Sequence, residues 1–352
     1  MEASPLLKKL YISPDFAQRS GIASYAQVFF HHVLQARGFE HRSFATPKEF
    51  NDFIAALDRL PAFHVEVGVG TRTEQAILWR LLKMNAVVDI TLHDPPYVAF
   101  PRYSFSSKPL NQLSKAAQLV LPQRLFGRAL LARVRRVYVL SRRGVQQVKE
   151  LNPTVDVRHI PLVTLVQPAA ARAGPPALLY TGFIGPKKGL DYALALHAGL
   201  RAKHPELQML VTGEPVDALT TTYLARLKER YADGVQYTGY LAKSELAELL
   251  SAGHVAVLPT HDYRTVCPVS ANIMQALAAS CVVVTTDANA NAELVEPGVN
   301  GEFLTFDEKR DTTLLQRIIA DASLRQQMID AARARVACHH SPQAVGRLMD
   351  DG

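Results

Sequence analysis

The sequence predicts an α/β protein made of two Rossmann-like, doubly wound parallel-sheet domains facing a cleft, and three observations carry that expectation. Short apolar runs rich in branched side chains alternate with longer stretches of helical period, as expected for strands covered by helices on both faces. The same style recurs in both halves of the chain, with a cluster of helix breakers between them. The length, 352 residues, exceeds what a single hydrophobic core ordinarily organises.

In the first half the predicted strands are Leu10-Tyr11-Ile12, Phe63-His64-Val65-Glu66-Val67, the run from Ala86 to Leu92, and Val137-Tyr138-Val139-Leu140. The second half offers Ala177 to Tyr180, Gln208 to Val211, Val255 to Leu258 and Cys281 to Val284, each followed by a helical stretch. Between the halves, Asn152-Pro153, Gln167-Pro168 and Gly174-Pro175-Pro176 place a linker near 165–176. The expected domains are therefore 1–165 and 177–330, with a helical tail over 331–352. In open α/β sheets ligands bind beyond the carboxyl ends of the strands, so chemistry is expected in the loops that follow them.

Composition narrows the function classes. At 48% apolar and 20% charged residues, with 19 Gly and 21 Pro, the chain reads as an ordinary globular enzyme and excludes collagen, disorder and coiled coil. No apolar run approaches the roughly 18 to 20 residues that span a bilayer, and the start lacks a signal-peptide core, so the expected location is cytoplasmic. Cys267, Cys281 and Cys338 are odd in number and widely spaced, which implies neither a disulfide framework nor a zinc knuckle. The net charge of +7 is local: residues 95–149 hold eleven Lys or Arg and no Asp or Glu, leaving 28 basic against 32 acidic residues elsewhere. Residues 108–143 interleave those cations with apolar side chains. That pattern fits a basic amphipathic helix peripheral at the inner, anionic membrane face, and equally a surface helix whose apolar side is core. Nucleic acid is not expected, because aromatic interleaving is sparse and no recognition motif accompanies the patch.

Four post-strand loops carry the candidate chemistry, three of them expected to face one cleft. The first runs from Ser13 to Gly21 and Ile22, where a glycine at a helix start lets backbone N–H groups approach an anion. Gly68-Val69-Gly70, after the next strand, lacks the third glycine of a dinucleotide fingerprint and reads as a tight turn. His93-Asp94-Pro95-Pro96 sets a titratable ring at a strand end, able to meet sugar hydroxyls or handle a proton. In the second half, Tyr180-Thr181-Gly182-Phe183-Ile184-Gly185-Pro186-Lys187-Lys188-Gly189 opens a helix and offers cations to a diphosphate. It is not a Walker loop, and no Asp-x-Asp is present to hold a catalytic metal. The stretch from Leu258 through Arg264 to Ser270, Ala271 and Asn272 gives a second anion-friendly helix start. Such a set reads as binding a nucleotide diphosphate whose charge the protein itself neutralises.

The order of these motifs resembles the retaining, two-Rossmann-domain glycosyltransferases of family 4, with the GT-B fold. The resemblance covers nearly the whole chain and is clearest from 177 to 304. It rests on Gly182, Lys188-Gly189, Val211-Thr212-Gly213-Glu214, Gly239-Tyr240-Leu241, Leu258-Pro259-Thr260, Glu293-Leu294-Val295 and Asn300-Gly301. In the first half, Ser20-Gly21-Ile22 looks like the glycine loop and Thr91-Leu92-His93-Asp94 like the loop whose histidine meets the donor sugar. The resemblance implies catalytic roles for His93 and Asp94. It implies donor-binding roles for Gly21, Gly182, Lys187, Lys188, Gly213, Glu214, Tyr240, Leu241, Arg264, Ser270, Ala271, Asn272 and Gln275. It further implies a C-terminal tail that returns to the first domain.

Departures fall at sensitive positions: Phe183 stands where the family has arginine, and Cys267 and Gln275 stand where it has two glutamates. An arginine–diphosphate bond is worth about 1.5–3 kcal/mol, so Lys187 or Arg264 is expected to supply the missing cation. The resulting expectation is a metal-independent retaining transferase with a UDP- or GDP-linked hexose as co-substrate, no cofactor, and a polysaccharide or lipid-linked glycan acceptor. The rival expectation is a catalytically impaired homologue that serves as a partner or glycan-binding subunit.

Overall fold

The computed structural model describes residues 9–98, 123–167, 176–252, 254–263 and 265–350. Most of the expected linker, the basic stretch before 123 and Arg264 lie outside the described residues. The chain divides into two compact units, one comprising Met1–Val163, Thr265–Val269 and Pro342–Gly352, the other Thr164–Arg264 and Ser270–Ser341.

The first unit is built on a six-stranded sheet. Its strands are β1 Lys9–Ile12, β2 Phe39–Arg42, β3 Ala62–Val67, β4 Val88–Leu92, β5 Arg136–Val139 and β6 Val157–His159, in the order β2-β1-β3-β4-β5-β6. Every pairing is parallel. The order reverses between β1 and β3, the switch point where doubly wound sheets bind ligands. Side chains alternate across a strand, and the two faces of this sheet differ in chemistry. Leu10, Ile12, Phe63, Val65, Ile90 and Val137 enter an aliphatic core with Phe50, Ile77, Leu78 and Leu81. Those four lie on the helices Pro47–Ala55 and Arg72–Lys83. The alternate positions are Tyr11, His64, Glu66, Asp89, Thr91 and Tyr138, all buried and all carrying polar atoms. The helix Gly21–Phe29 contributes Phe29 to this side, where its ring meets Tyr11 edge-on at 6.1 Å and His64 at 5.9 Å.

The second unit holds β7 Leu178–Thr181, β8 Met209–Thr212, β9 Val235–Gly239, β10 Val255–Leu258, β11 Val282–Thr285 and β12 Gly301–Phe303. They form a second six-stranded parallel sheet, ordered β12-β11-β10-β7-β8-β9. Counted from β7 this is the Rossmann order 3-2-1-4-5-6, with its switch point between β7 and β10. The predicted helical face Leu190, Leu194, His197 and Leu200 is buried on the helix Leu190–Arg201.

Side-chain caps mark where helices start. Ser20 accepts from Ala23 N (3.0 Å), Ser141 from Gly144 N (3.0 Å) and Asp217 from Thr220 N (2.8 Å). Each such cap is worth about 0.5–2 kcal/mol. The eight central strands correspond to the eight predicted ones within two residues at each end. β2, β6, β9 and β12, the edges of the two sheets, were not anticipated.

Of the two readings of the basic segment, the described part fits the core-facing one. Leu130, Leu131 and Val134 are buried in the aliphatic core, while Leu125 is exposed. Arg133 donates to Leu82 O, Arg135 Nε to Asp89 Oδ1 (2.8 Å) and Arg136 Nε to Asp156 Oδ2 (2.8 Å). Among the described residues no helix is long and apolar enough to cross a membrane.

The helix Pro342–Asp350 counts with the first unit, and Arg37 holds it there. Its guanidinium donates to Val33 O (2.6 Å), to Gly346 O (2.7 Å), and in a two-pronged pair to Asp350 (2.8 and 2.6 Å). Arg37→Ala is expected to raise amide exchange across Pro342–Asp350 by about tenfold or more while the rest of the first unit stays protected, read by mass spectrometry. Unchanged protection of that helix would show that other contacts hold it.

Candidate functional site

In the first unit the loops after β1, β3 and β4 converge at one end of the sheet. Gly68 follows β3 and packs so tightly that an added Cβ would lie 2.5 Å from Ile22 Cδ1 and 3.0 Å from Asp94 Oδ2. The tight turn read at Gly68-Val69-Gly70 is present, closed by Thr71 N donating to Gly68 O (3.1 Å). Gly21 is the first residue of its helix and is exposed.

His93 leaves β4 with its backbone N–H on Val67 O (2.8 Å), and its side chain is buried. Asp94 is half-buried and accepts from Val69 N (2.8 Å), which ties the two loops together. Pro95 O in turn accepts from Cys267 N (2.9 Å), and Cys267, at the position of a family glutamate, is fully buried.

The residue that sequence reasoning missed is Glu66. It sits on β3 inside what reads as an apolar strand, with no exposed surface. One carboxylate oxygen takes the Tyr11 hydroxyl (2.7 Å) and the other lies 2.6 Å from His93 Nε2. The Tyr25 ring meets the imidazole edge-on, with centroids 5.0 Å apart and planes at 83°. Next along the same face, His64 Nε2 pairs with Thr91 Oγ1 (2.7 Å) beneath the stacked ring of Tyr138. Burial lowers the His64 pKa, and burial together with the Glu66 charge raises that of Tyr11. A charged residue within an apolar run was the available signal, since carboxylates are almost never fully buried without partners.

The second unit brings its glycines together. Gly182, Gly213 and Gly239 end β7, β8 and β9, all with φ in the left-handed region, at 124°, 131° and 73°. Gly182 N donates to Thr212 O (3.1 Å) and Gly213 N to Gly239 O (2.8 Å), so the three turns form a stair. A Cβ on Gly213 would overlap Gly182 O, and one on Gly182 would overlap the Asn272 amide. That amide donates to Thr181 O (3.0 Å) and pins the start of the helix Ala271–Ala278 to the Gly182 turn. Ser270 caps this helix, accepting from Ile273 N (3.4 Å), and Ala271 and Gln275 are half-buried on it.

Lys187 and Lys188 lie on the short turn Pro186–Lys188, ahead of Gly189. A Cβ on Gly189 would strike Pro259 O, so the β7 and β10 loops touch backbone to backbone at the switch point. His261 N donates to Lys187 O (3.0 Å), which carries Tyr263 to the lysines. Both ammonium groups lie over its ring, at 5.2 and 5.7 Å from the centroid. Glu214 O accepts from Ile184 N (3.0 Å), and Glu214 and Leu241 are half-buried, while Tyr240 and Phe183 are exposed. Arg264 lies outside the described residues. Among the described residues no three His, Cys, Asp or Glu side chains are grouped as metal ligands.

Comparison with known proteins gives matches in sequence and in fold. The family described as "Glycosyl transferases group 1" matches residues 175–321, a stretch that contains the glycine stair and the lysine turn. Glycogen synthase of Mycobacterium tuberculosis is 30% identical over 206 residues, 57% of this chain and 47% of that protein. Alpha-D-kanosaminyltransferase of Streptomyces kanamyceticus is 26% identical over 174 residues, 49% of this chain and 43% of that protein. The chain thus spans about half the length of the curated relatives it matches. Among solved structures, sucrose-phosphate synthase from Thermosynechococcus elongatus superposes with a TM-score of 0.75 at 17% identity, over 98% of both chains. HepE of Anabaena in complex with UDP-glucose gives 0.68 at 12% identity, also over 98% of both.

Gly213→Ala is expected to destabilise the protein by about 1–3 kcal/mol, since the new methyl must displace backbone at a left-handed φ. Thermal denaturation would register this, and an unchanged melting temperature would refute the close contact. The fold is that of the GT-B glycosyltransferase structures it superposes on, and residues 175–321 match the family described as "Glycosyl transferases group 1".

Proposed function

We propose that the protein is a metal-independent, retaining glycosyltransferase that moves a hexose from a UDP- or GDP-sugar to a polysaccharide or lipid-linked glycan precursor. The observation that carries this reading is the lysine turn beside the glycine stair, within the matched family region. Two ammonium groups held over one ring, next to the glycine turns that end the strands, supply the charge that Phe183 does not. A solved relative of the same fold is described in complex with UDP-glucose, which supports a nucleotide-sugar donor.

In this reading Lys187 and Lys188, beside the turns at Gly182 and Gly213, neutralise the departing diphosphate, the largest charge that develops during transfer. The nucleoside lies along Glu214, Tyr240, Leu241 and Gln275, with Ser270, Ala271 and Asn272 at the helix start. Arg264 is a third candidate cation. His93 and Asp94 orient the sugar, and Gly21 leaves room for the acceptor side. The absence of Asp-x-Asp from the sequence supports charge neutralisation by protein groups.

Cys267 favours a second reading. A fully buried thiol replaces the carboxylate that the family places on the donor sugar, as expected of a homologue that binds without turning over. Calorimetry with UDP and GDP, followed by donor hydrolysis with and without EDTA, separates the two. Micromolar binding with EDTA-insensitive turnover supports the enzyme, whereas binding without turnover, or no binding, refutes it and favours the partner or glycan-binding subunit. Lys188→Ala is expected to weaken nucleotide diphosphate binding by more than about tenfold. His93→Ala should lower turnover with little change in nucleotide affinity. Parental behaviour in both variants would mean that the site lies elsewhere.

A further inference from the structure

We propose that Glu66 is a positioning residue that fixes which nitrogen of His93 carries the proton and so which nitrogen meets the substrate, an inference that rests on the transferase reading above. An ionised carboxylate only accepts hydrogen bonds, so the 2.6 Å contact from Glu66 Oε2 requires the proton of His93 to sit on Nε2. Nδ1 is then the nitrogen presented to a ligand, and in the neutral ring it is an acceptor. A substrate hydroxyl must therefore donate to it.

The geometry leaves the pair little latitude. Glu66 is fully buried, and its other oxygen is taken by the Tyr11 hydroxyl at 2.7 Å, which prevents the carboxylate from rotating. His64 Nε2 lies farther off, 3.8 Å from Glu66 Oε1, and pairs instead with Thr91 Oγ1 at 2.7 Å. Tyr25 sets the plane of the His93 ring from the side, and the backbone of His93 is tied to Val67. Four elements thus agree on one orientation of one imidazole: β1, β3, the end of β4 and the helix Gly21–Phe29. A histidine needed only to fill space would not require a buried carboxylate, whose desolvation is costly unless it is fully bonded.

The test is Glu66→Gln, which keeps the shape and allows the side-chain amide to donate to Nε2. Nitrogen-15 spectra of histidine-labelled protein would follow the ring, with His93 assigned among the 12 histidines by its loss in His93→Ala. In the parent the His93 proton is expected on Nε2, and in Glu66→Gln it should move to Nδ1. With a turnover assay in hand, kcat should fall by about one to two decades while the donor KM changes far less. The double variant with His93→Ala should be no worse than His93→Ala alone. An unchanged His93 proton position in a folded Glu66→Gln protein overturns the proposal, as does a purely thermal loss of stability with kcat intact. Because the spectrum needs no substrate, a shifted proton in a protein that transfers no sugar would count against the transferase reading and leave the role of Glu66 standing.

Discussion

A carboxylate with no access to water constrains the first unit more than any other group. Glu66 lies at the centre of a parallel sheet, where solvent cannot screen its charge, so its oxygens must be met by protein donors. Tyr11 and His93 meet them, Tyr25 braces His93, and Phe29 closes over Tyr11 and His64. One face of the sheet becomes a connected polar layer while the other remains aliphatic. The contacts favour one arrangement of Tyr11 and His93, because any other leaves a buried carboxylate oxygen of Glu66 unpaired.

The second unit solves a different problem, that of bringing backbone close to backbone. Gly182 against Gly213, and Gly189 against Pro259, are contacts that any Cβ would block. These contacts draw the strand-end turns together beside the two lysines. Anion binding at such places comes from backbone dipoles and nearby cations acting together. The first unit thus holds an imidazole by fixed contacts, and the second holds two ammonium groups over one ring.

Much of this was legible in the sequence. Runs such as Val255 to Leu258 and Val282 to Val284 are covered on both faces, so they are apolar throughout and easy to recognise. The four unanticipated strands are the four sheet edges, with sequences Phe-Glu-His-Arg, Val-Arg-His, Val-Gln-Tyr-Thr-Gly and Gly-Glu-Phe. Edge strands are half-exposed and carry polar residues, which removes the periodic signal and discourages edge-to-edge pairing. Glu66 escaped notice for the opposite reason: its apolar neighbours made the strand obvious and its own charge look incidental.

The sequence by itself determined the fold class, the positions of the central strands and the loops that carry His93, Gly182 and Lys188, because burial pattern and chain breakers are local properties. Only the tertiary structure decided that Glu66 meets His93, that Asn272 closes on Gly182 and that the two lysines share Tyr263. Those contacts join residues 27, 90 and about 75 positions apart. Which side chains meet at such separations is set by strand order and register, and no local pattern encodes either.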